Sequence, residues 1–145
     1  MASPGSQGTA PVRAVLALYE AIRDSRIADV LALVDPDVAC QPLVRPGLTV
    51  YYGHDGMAEL VHDMHAVHGC YQVEIAETTE EDVPDGPRVT VRAVIVPEPG
   101  RGRPLPVNSV YGFRGGLITS IESSPVPLGC RASRNPPART PAVGP

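Results

Sequence analysis

The sequence has no lysine, no tryptophan, one phenylalanine and only three cysteines in 145 residues. All 12 basic residues are therefore arginine, a pattern that reads as GC-biased codon usage rather than a choice of chemistry. With a formal net charge of −4 and no basic stripe, nothing marks nucleic acid as a partner. Cys40, Cys70 and Cys130 are odd in number and widely spaced, so neither a disulfide framework nor a zinc site is indicated, and a reducing cytoplasm is the simplest compartment. Long apolar runs are missing too. No stretch approaches a membrane span and no charged-then-apolar leader opens the chain, so neither insertion nor secretion is indicated.

What is present is an ordinary soluble balance, 43% hydrophobic and 19% charged, in a length that suits one domain with a real core. Residues 1–10 are small, polar and aperiodic and read as a disordered lead-in; residues 128–145, Pro/Arg-rich and almost without apolar side chains, read as a flexible tail. The domain is then 11–127.

Within it, Val12, Val15, Leu16, Tyr19 and Ile22 recur at helical spacing, with Pro11 suited to a first turn. Asp24-Ser25 offers capping chemistry for a shorter stripe of Ile27, Val30, Leu31 and Val34, which Asp35-Pro36 ends. Val38 to Gln41 suits a short strand, followed by a loop with two prolines and a glycine at 42–47. Tyr51-Tyr52 is β-prone and is stopped by Gly53. Asp55 stands as an N-cap for a third helix with Met57, Leu60, Val61, Met64 and Val67 on one face and Gly69 as its stop. The second half reads as antiparallel strands: Tyr71 to Glu80, Arg88 to Val96 after an Asp85-Gly86 turn, Leu105 to Phe113, and Leu117 to Ser124 across a Gly115-Gly116 hairpin. Helices first and a meander afterwards give an α+β domain, and a curved sheet wrapped over three helices leaves an apolar pocket between them.

Leu18-Tyr19-Glu20-Ala21, the run to Asp35-Pro36-Asp37-Val38, Tyr52-Gly53-His54-Asp55-Gly56-Met57, and Val110 to Ile118 resemble, in order and spacing, the SnoaL-like branch of the nuclear transport factor 2-like superfamily. The resemblance spans about residues 11 to 125. It implies a cone-shaped α+β barrel with a deep pocket and a homodimer through the outer sheet face. Relatives include polyketide cyclases, ketosteroid isomerase, limonene epoxide hydrolase and non-enzymatic binding domains, so fold does not fix function. The relatives' catalytic carboxylates are absent or displaced. Gln41 before Pro42 stands where isomerases carry a general-base Asp, Ser123 where cyclases carry an Asp, and no aspartate pair flanks Arg92 as the epoxide hydrolases need.

The candidate catalytic set is Tyr19 as a phenol donor to an oxyanion, His65 as acid/base at the edge of the third helix, and Gln41 as a polar orienter. Tyr51, Arg92, Ser109 and Tyr111 are candidate ligand contacts. For each the blander alternative stays open: a core tyrosine at 19, ordinary sheet packing at 109 and 111, a solvated or interface arginine at 92. His54, His62, His65 and His68 do not converge on a helical wheel and no carboxylate or cysteine completes a set, so no metal and no cofactor is expected. The function expected is binding of, or cofactor-free acid–base action on, a small apolar molecule such as a polyketide-like compound; the alternative is a non-catalytic ligand-binding or dimerisation domain.

Overall fold

The computed structural model describes residues 9–42 and 50–126. The expected tail, most of the expected lead-in and most of the 42–47 loop lie outside the described residues. In chain order the elements are α1 (Ala10–Arg23), α2 (Ile27–Leu33), β1 (Val34–Gln41), β2 (Tyr51–Tyr52), α3 (Gly53–His68), β3 (Gln72–Val83), β4 (Gly86–Val96), β5 (Leu105–Arg114) and β6 (Leu117–Pro125).

Helix α1 starts one residue before Pro11, and the Thr9 side chain accepts from the Val12 N–H at 3.4 Å, satisfying one of the free donors of the first turn. The Thr9 hydroxyl also donates to Glu80 on β3, fastening the start of α1 to that strand. Asp24 and Ser25 close α1 rather than cap α2. Asp24 is the C-cap, Ser25 takes the left-handed φ of 58°, and Arg26 N donates to Ala21 O at 2.9 Å. The α2 N-cap is Arg26, without a side-chain bond.

Helix α2 ends one residue earlier than its apolar stripe suggested, and Val34-Asp35-Pro36 belongs to β1. Val34 is fully buried there. Pro36 is tolerated because the pairing of β1 with β6 is interrupted between Val34 and Ala39, where no ladder donor is needed. Helix α3 likewise begins at Gly53 with Tyr52 as N-cap, so Asp55 lies in the first turn, where it favours the helix dipole instead of capping. A side chain at Gly56 would bring its Cβ to 2.9 Å from the Tyr51 carbonyl carbon. That close approach, not helix propensity, is why glycine stands at 56.

The six strands form one curved, unclosed sheet in the order β2-β1-β6-β5-β4-β3. The α+β class and the cone-like architecture are as expected from the sequence, with one refinement: β1 runs parallel to β6, while the other neighbouring pairs are antiparallel. Alternate residues of β4 and β5, including Val89, Val91 and Ala93, then Val107, Ser109, Tyr111 and Phe113, face inward beneath the helices. Helix α1, with Val15 and Leu18 buried, packs over β3 and β4, and α3, with Met57, Leu60 and Val61 buried, over β1 and β2. Each such burial is worth roughly 1.5–3 kcal/mol, whereas exposed pairs such as Arg26–Asp29, at 2.9 Å, add about 0–1 kcal/mol. The covered inner face therefore decides the fold. No helix among the described residues is long and apolar enough to cross a membrane.

Candidate functional site

A small cavity of about 60 Å³ lies between α1, the end of α3 and the inner sheet face. Leu18, Leu60, Met64, Ile95 and Ile121 give it an apolar wall. The other lining residues include Tyr19, Cys40, Tyr71, Ser109, Tyr111 and Ser123.

Each is placed by local structure. Tyr19 stands on the flank of α1 beside the buried Val15–Leu18 stripe, its ring edge-to-face with Tyr111 at 6.0 Å. Ser109 and Tyr111 are successive inward residues of β5. Ser123, the register partner of Ser109 on β6, shares a 2.7 Å hydrogen bond with it. Cys40 follows Val38 inward on β1, and Tyr71 comes just after the Gly69 stop of α3.

Burial dominates the electrostatics. It pushes the Tyr19 phenol above the ordinary tyrosine range, only partly offset by the neighbouring Tyr111 and Ser109 hydroxyls. It pushes Tyr111 well above that range, with Tyr19 adding to the shift, and raises Tyr71 as well. The Cys40 thiol is pushed up to about 12. All four groups are neutral at pH 7, so they offer hydrogen-bond donors and no thiolate nucleophile. Among the described residues no carboxylate and no imidazole lines the cavity, so it holds no ready general base. The Tyr19 hydroxyl is buried and closes no hydrogen bond of normal geometry, a costly state for a hydroxyl.

Of the seven residues singled out from the sequence, Tyr19, Ser109 and Tyr111 meet in this cavity. The other four are placed elsewhere, each for a visible reason. Gln41 follows the inward Cys40, so strand alternation turns it to the outer face, where its register partner is Glu122. His65 sets Nδ1 at 3.0 Å from the Val61 carbonyl and Nε2 at 2.8 Å from the Arg23 carbonyl, so its ring braces α3 against the end of α1. Tyr51 is buried, but its hydroxyl donates to Asp63 Oδ2 at 2.6 Å. Arg92 is on the outer face, its side chain 59% exposed and 3.8 Å from Glu77. Sequence reading missed Tyr71 and Cys40; the shared parity of Val38 and Cys40 was the available signal for the latter. Ser123, noted only as the place of a missing carboxylate, is a wall residue.

The other histidines serve the scaffold or solvent. His54 Nε2 lies 3.2 Å from the Val34 carbonyl, His62 is exposed, and His68 is buried beside Tyr71 with Nε2 unpartnered. Among the described residues no three metal-ligating side chains gather. A larger hollow of about 450 Å³ lies on the outer face near the β3–β4 and β5–β6 turns, but Asp85, Arg88, Arg114 and Glu122 give it a charged lining. The smaller, hydroxyl-lined cavity with its mainly apolar wall is the better candidate despite its size.

A helix-covered curved sheet around an apolar, hydroxyl-lined cavity defines the pocket proteins of the cone-shaped α+β class. The SnoaL-like domain profile matches residues 15–121, and the chain belongs to that family. A comparison with proteins of curated function finds no match. Among solved structures, TerC co-crystallised with polyporic acid is 23% identical, covering 85% of this chain and 96% of that one, with a TM-score of 0.64. RV0760c from Mycobacterium tuberculosis, in complex with estradiol-17beta-hemisuccinate, is 19% identical over 83% of this chain and 96% of that one, also at 0.64. An NTF2-like protein of unknown function from Burkholderia pseudomallei K96243 is 19% identical over 87% and 96%, again at 0.64. At these identities the likeness speaks for the fold.

Burial lowers the His68 pKa, which gives a pH prediction. Folding favours the neutral ring, so the unfolded chain binds the proton more readily, and the contribution of His68 is fully present above about pH 6.5 and is lost as pH falls below it. Urea midpoints measured from pH 7.5 down to 5 should fall less steeply in His68→Leu than in the parent protein; equal slopes would contradict this.

Proposed function

We propose that this SnoaL-like domain binds a small, largely apolar molecule that presents an oxygen acceptor, such as a ketone carbonyl, to the Tyr19 hydroxyl. The observation that carries the reading is the buried, unpartnered Tyr19 Oη at the wall of an apolar cavity. A ligand acceptor would offset the cost of that orphaned donor, about 1–3 kcal/mol. Ser109 and Tyr111 carry further neutral hydroxyls, and the polyporic acid and estradiol-17beta-hemisuccinate held by two structural neighbours support a small organic ligand.

Of the catalytic roles expected from sequence, the one retained is Tyr19 as donor. Hydroxyls held neutral suit polarising a carbonyl or steadying an enolate, but the described cavity has no base to start proton transfer. Binding is therefore the favoured function, with cofactor-free isomerase or cyclase chemistry second.

The same family reading implies a homodimer through the outer sheet face, and the half-buried Val94 and Val110 with the 69% exposed Tyr52 on that face support it. Sedimentation equilibrium should then give twice the 15.3 kDa chain mass; a single-chain mass at tens of micromolar would remove the dimer.

Binding is tested by titrating the protein with acetophenone and with ethylbenzene, its counterpart without the acceptor, followed by amide shifts in NMR. Acetophenone should bind the more tightly, and Tyr19→Phe should weaken it about 2- to 10-fold, the range of one hydrogen bond, while leaving ethylbenzene unchanged. Equal affinities for the two, or a ketone indifferent to the substitution, would contradict the assignment.

A further inference from the structure

The cavity is smaller than the ligands its chemistry suits. About 60 Å³ is the space of a couple of water molecules, while small-molecule pockets begin at roughly 300 Å³. A second hollow of about 250 Å³ lies between α1 and β3, bounded by Leu16, Glu20 and Arg23 on the helix and by Val73 and Ile75 on the strand. Tyr19 and Val73 line both spaces. The two together reach the lower end of the ligand range.

Three features of this hollow point to an occupant. Its aliphatic lining includes Ile75, which at 39% exposed is one of three large apolar side chains exposed among the described residues. An apolar residue left open on an edge strand is a liability unless something covers it, and β3 is an edge of the sheet. The rim charges, Glu20 and Arg23, are of opposite sign, so they favour no charged group. Tyr19 has its hydroxyl buried while the residue as a whole is only partly buried, and it lines both spaces. The Thr9–Glu80 bond fastens α1 to β3 at one end, and the hollow lies further along the same seam.

We propose that one ligand occupies both spaces, its acceptor-bearing head on Tyr19 in the cavity and a neutral alkyl tail passing Tyr19 and Val73 to rest on Leu16 and Ile75, so that the site opens sideways between α1 and β3. The inference rests on the binding function argued above for the cavity and adds the ligand's shape: a ketone or similar head with an uncharged aliphatic tail.

The test compares acetophenone with octanophenone, which carries the same head on a longer chain. The wild-type protein should bind octanophenone at least about tenfold more tightly, from the extra methylenes buried, with amide shifts at Leu16, Val73 and Ile75 larger than those acetophenone causes. In Ile75→Glu the octanophenone advantage should shrink to within about threefold, and acetophenone binding should persist, which also shows that the variant folds. If octanophenone binds no better than acetophenone, shifts those three amides no further than acetophenone does, or is indifferent to Ile75→Glu, the sideways opening is wrong while the cavity stands. If neither ketone binds, the cavity reading fails and this inference falls with it. The wild-type shift comparison decides the matter even if Ile75→Glu does not fold.

Discussion

The apolar inner face of the curved sheet has to be covered, and the rest of the structure follows from how α1 and α3 cover it. Two straight helices lying against a concave sheet cannot fill it evenly. Val15, Val91 and Phe113 are buried in the packed core, while between Leu18, Leu60 and Met64 on the helices and Tyr71 and Ile121 opposite a cavity remains. The burial that holds the domain together is thus also what leaves room for a ligand, and the polar groups caught in that room are dried by the same packing. Desolvation raises the pKa values of Tyr19, Tyr71, Tyr111 and Cys40 together. It leaves a set of neutral donors rather than an acid and a base with values moved apart, the arrangement that acid–base enzymes need.

An orphaned hydroxyl costing about 1–3 kcal/mol is a noticeable fraction of a typical stability of about 5–15 kcal/mol. The Ser109–Ser123 bond shows that nearby hydroxyls of the same cavity do find partners when the register permits it. Tyr19 comes from the helix rather than the sheet and has no such register partner. A bound acceptor is a physical reason for a chain to keep a phenol there, where phenylalanine would fill the same space without the penalty.

Much of this was legible in the sequence because it is local. The apolar periods of α1 and α3, the Gly69 stop and the hairpins of the second half depend on neighbours a few residues apart, and the order of the motifs carried the family. What failed was non-local. Val34 continues a helical stripe, yet parallel pairing with β6, distant in sequence, draws it into β1. Strand parity told that one of Tyr51 and Tyr52 faces inward but not that the Tyr51 hydroxyl is taken by Asp63. A helical wheel put His65 at an edge overlooking the pocket; the Arg23 carbonyl that occupies its Nε2 belongs to the end of another helix. Gln41 and Arg92 fell on the outer face because the choice between faces is set by which side the helices dock, a choice no single strand reveals. Tyr19, Ser109 and Tyr111 line the cavity because their apolar neighbours fix their faces.

The central claim is that the Tyr19 hydroxyl is held in reserve for a ligand's acceptor, and a crystal structure of the protein with acetophenone tests it most directly. The account predicts the carbonyl in the cavity bounded by α1, α3 and β5, its oxygen about 2.5–3.0 Å from Tyr19 Oη, with the ring reaching past Tyr19 toward Val73. A ketone seated instead in the charged outer hollow near Arg88 and Glu122, or one whose carbonyl points away from Tyr19, would contradict it.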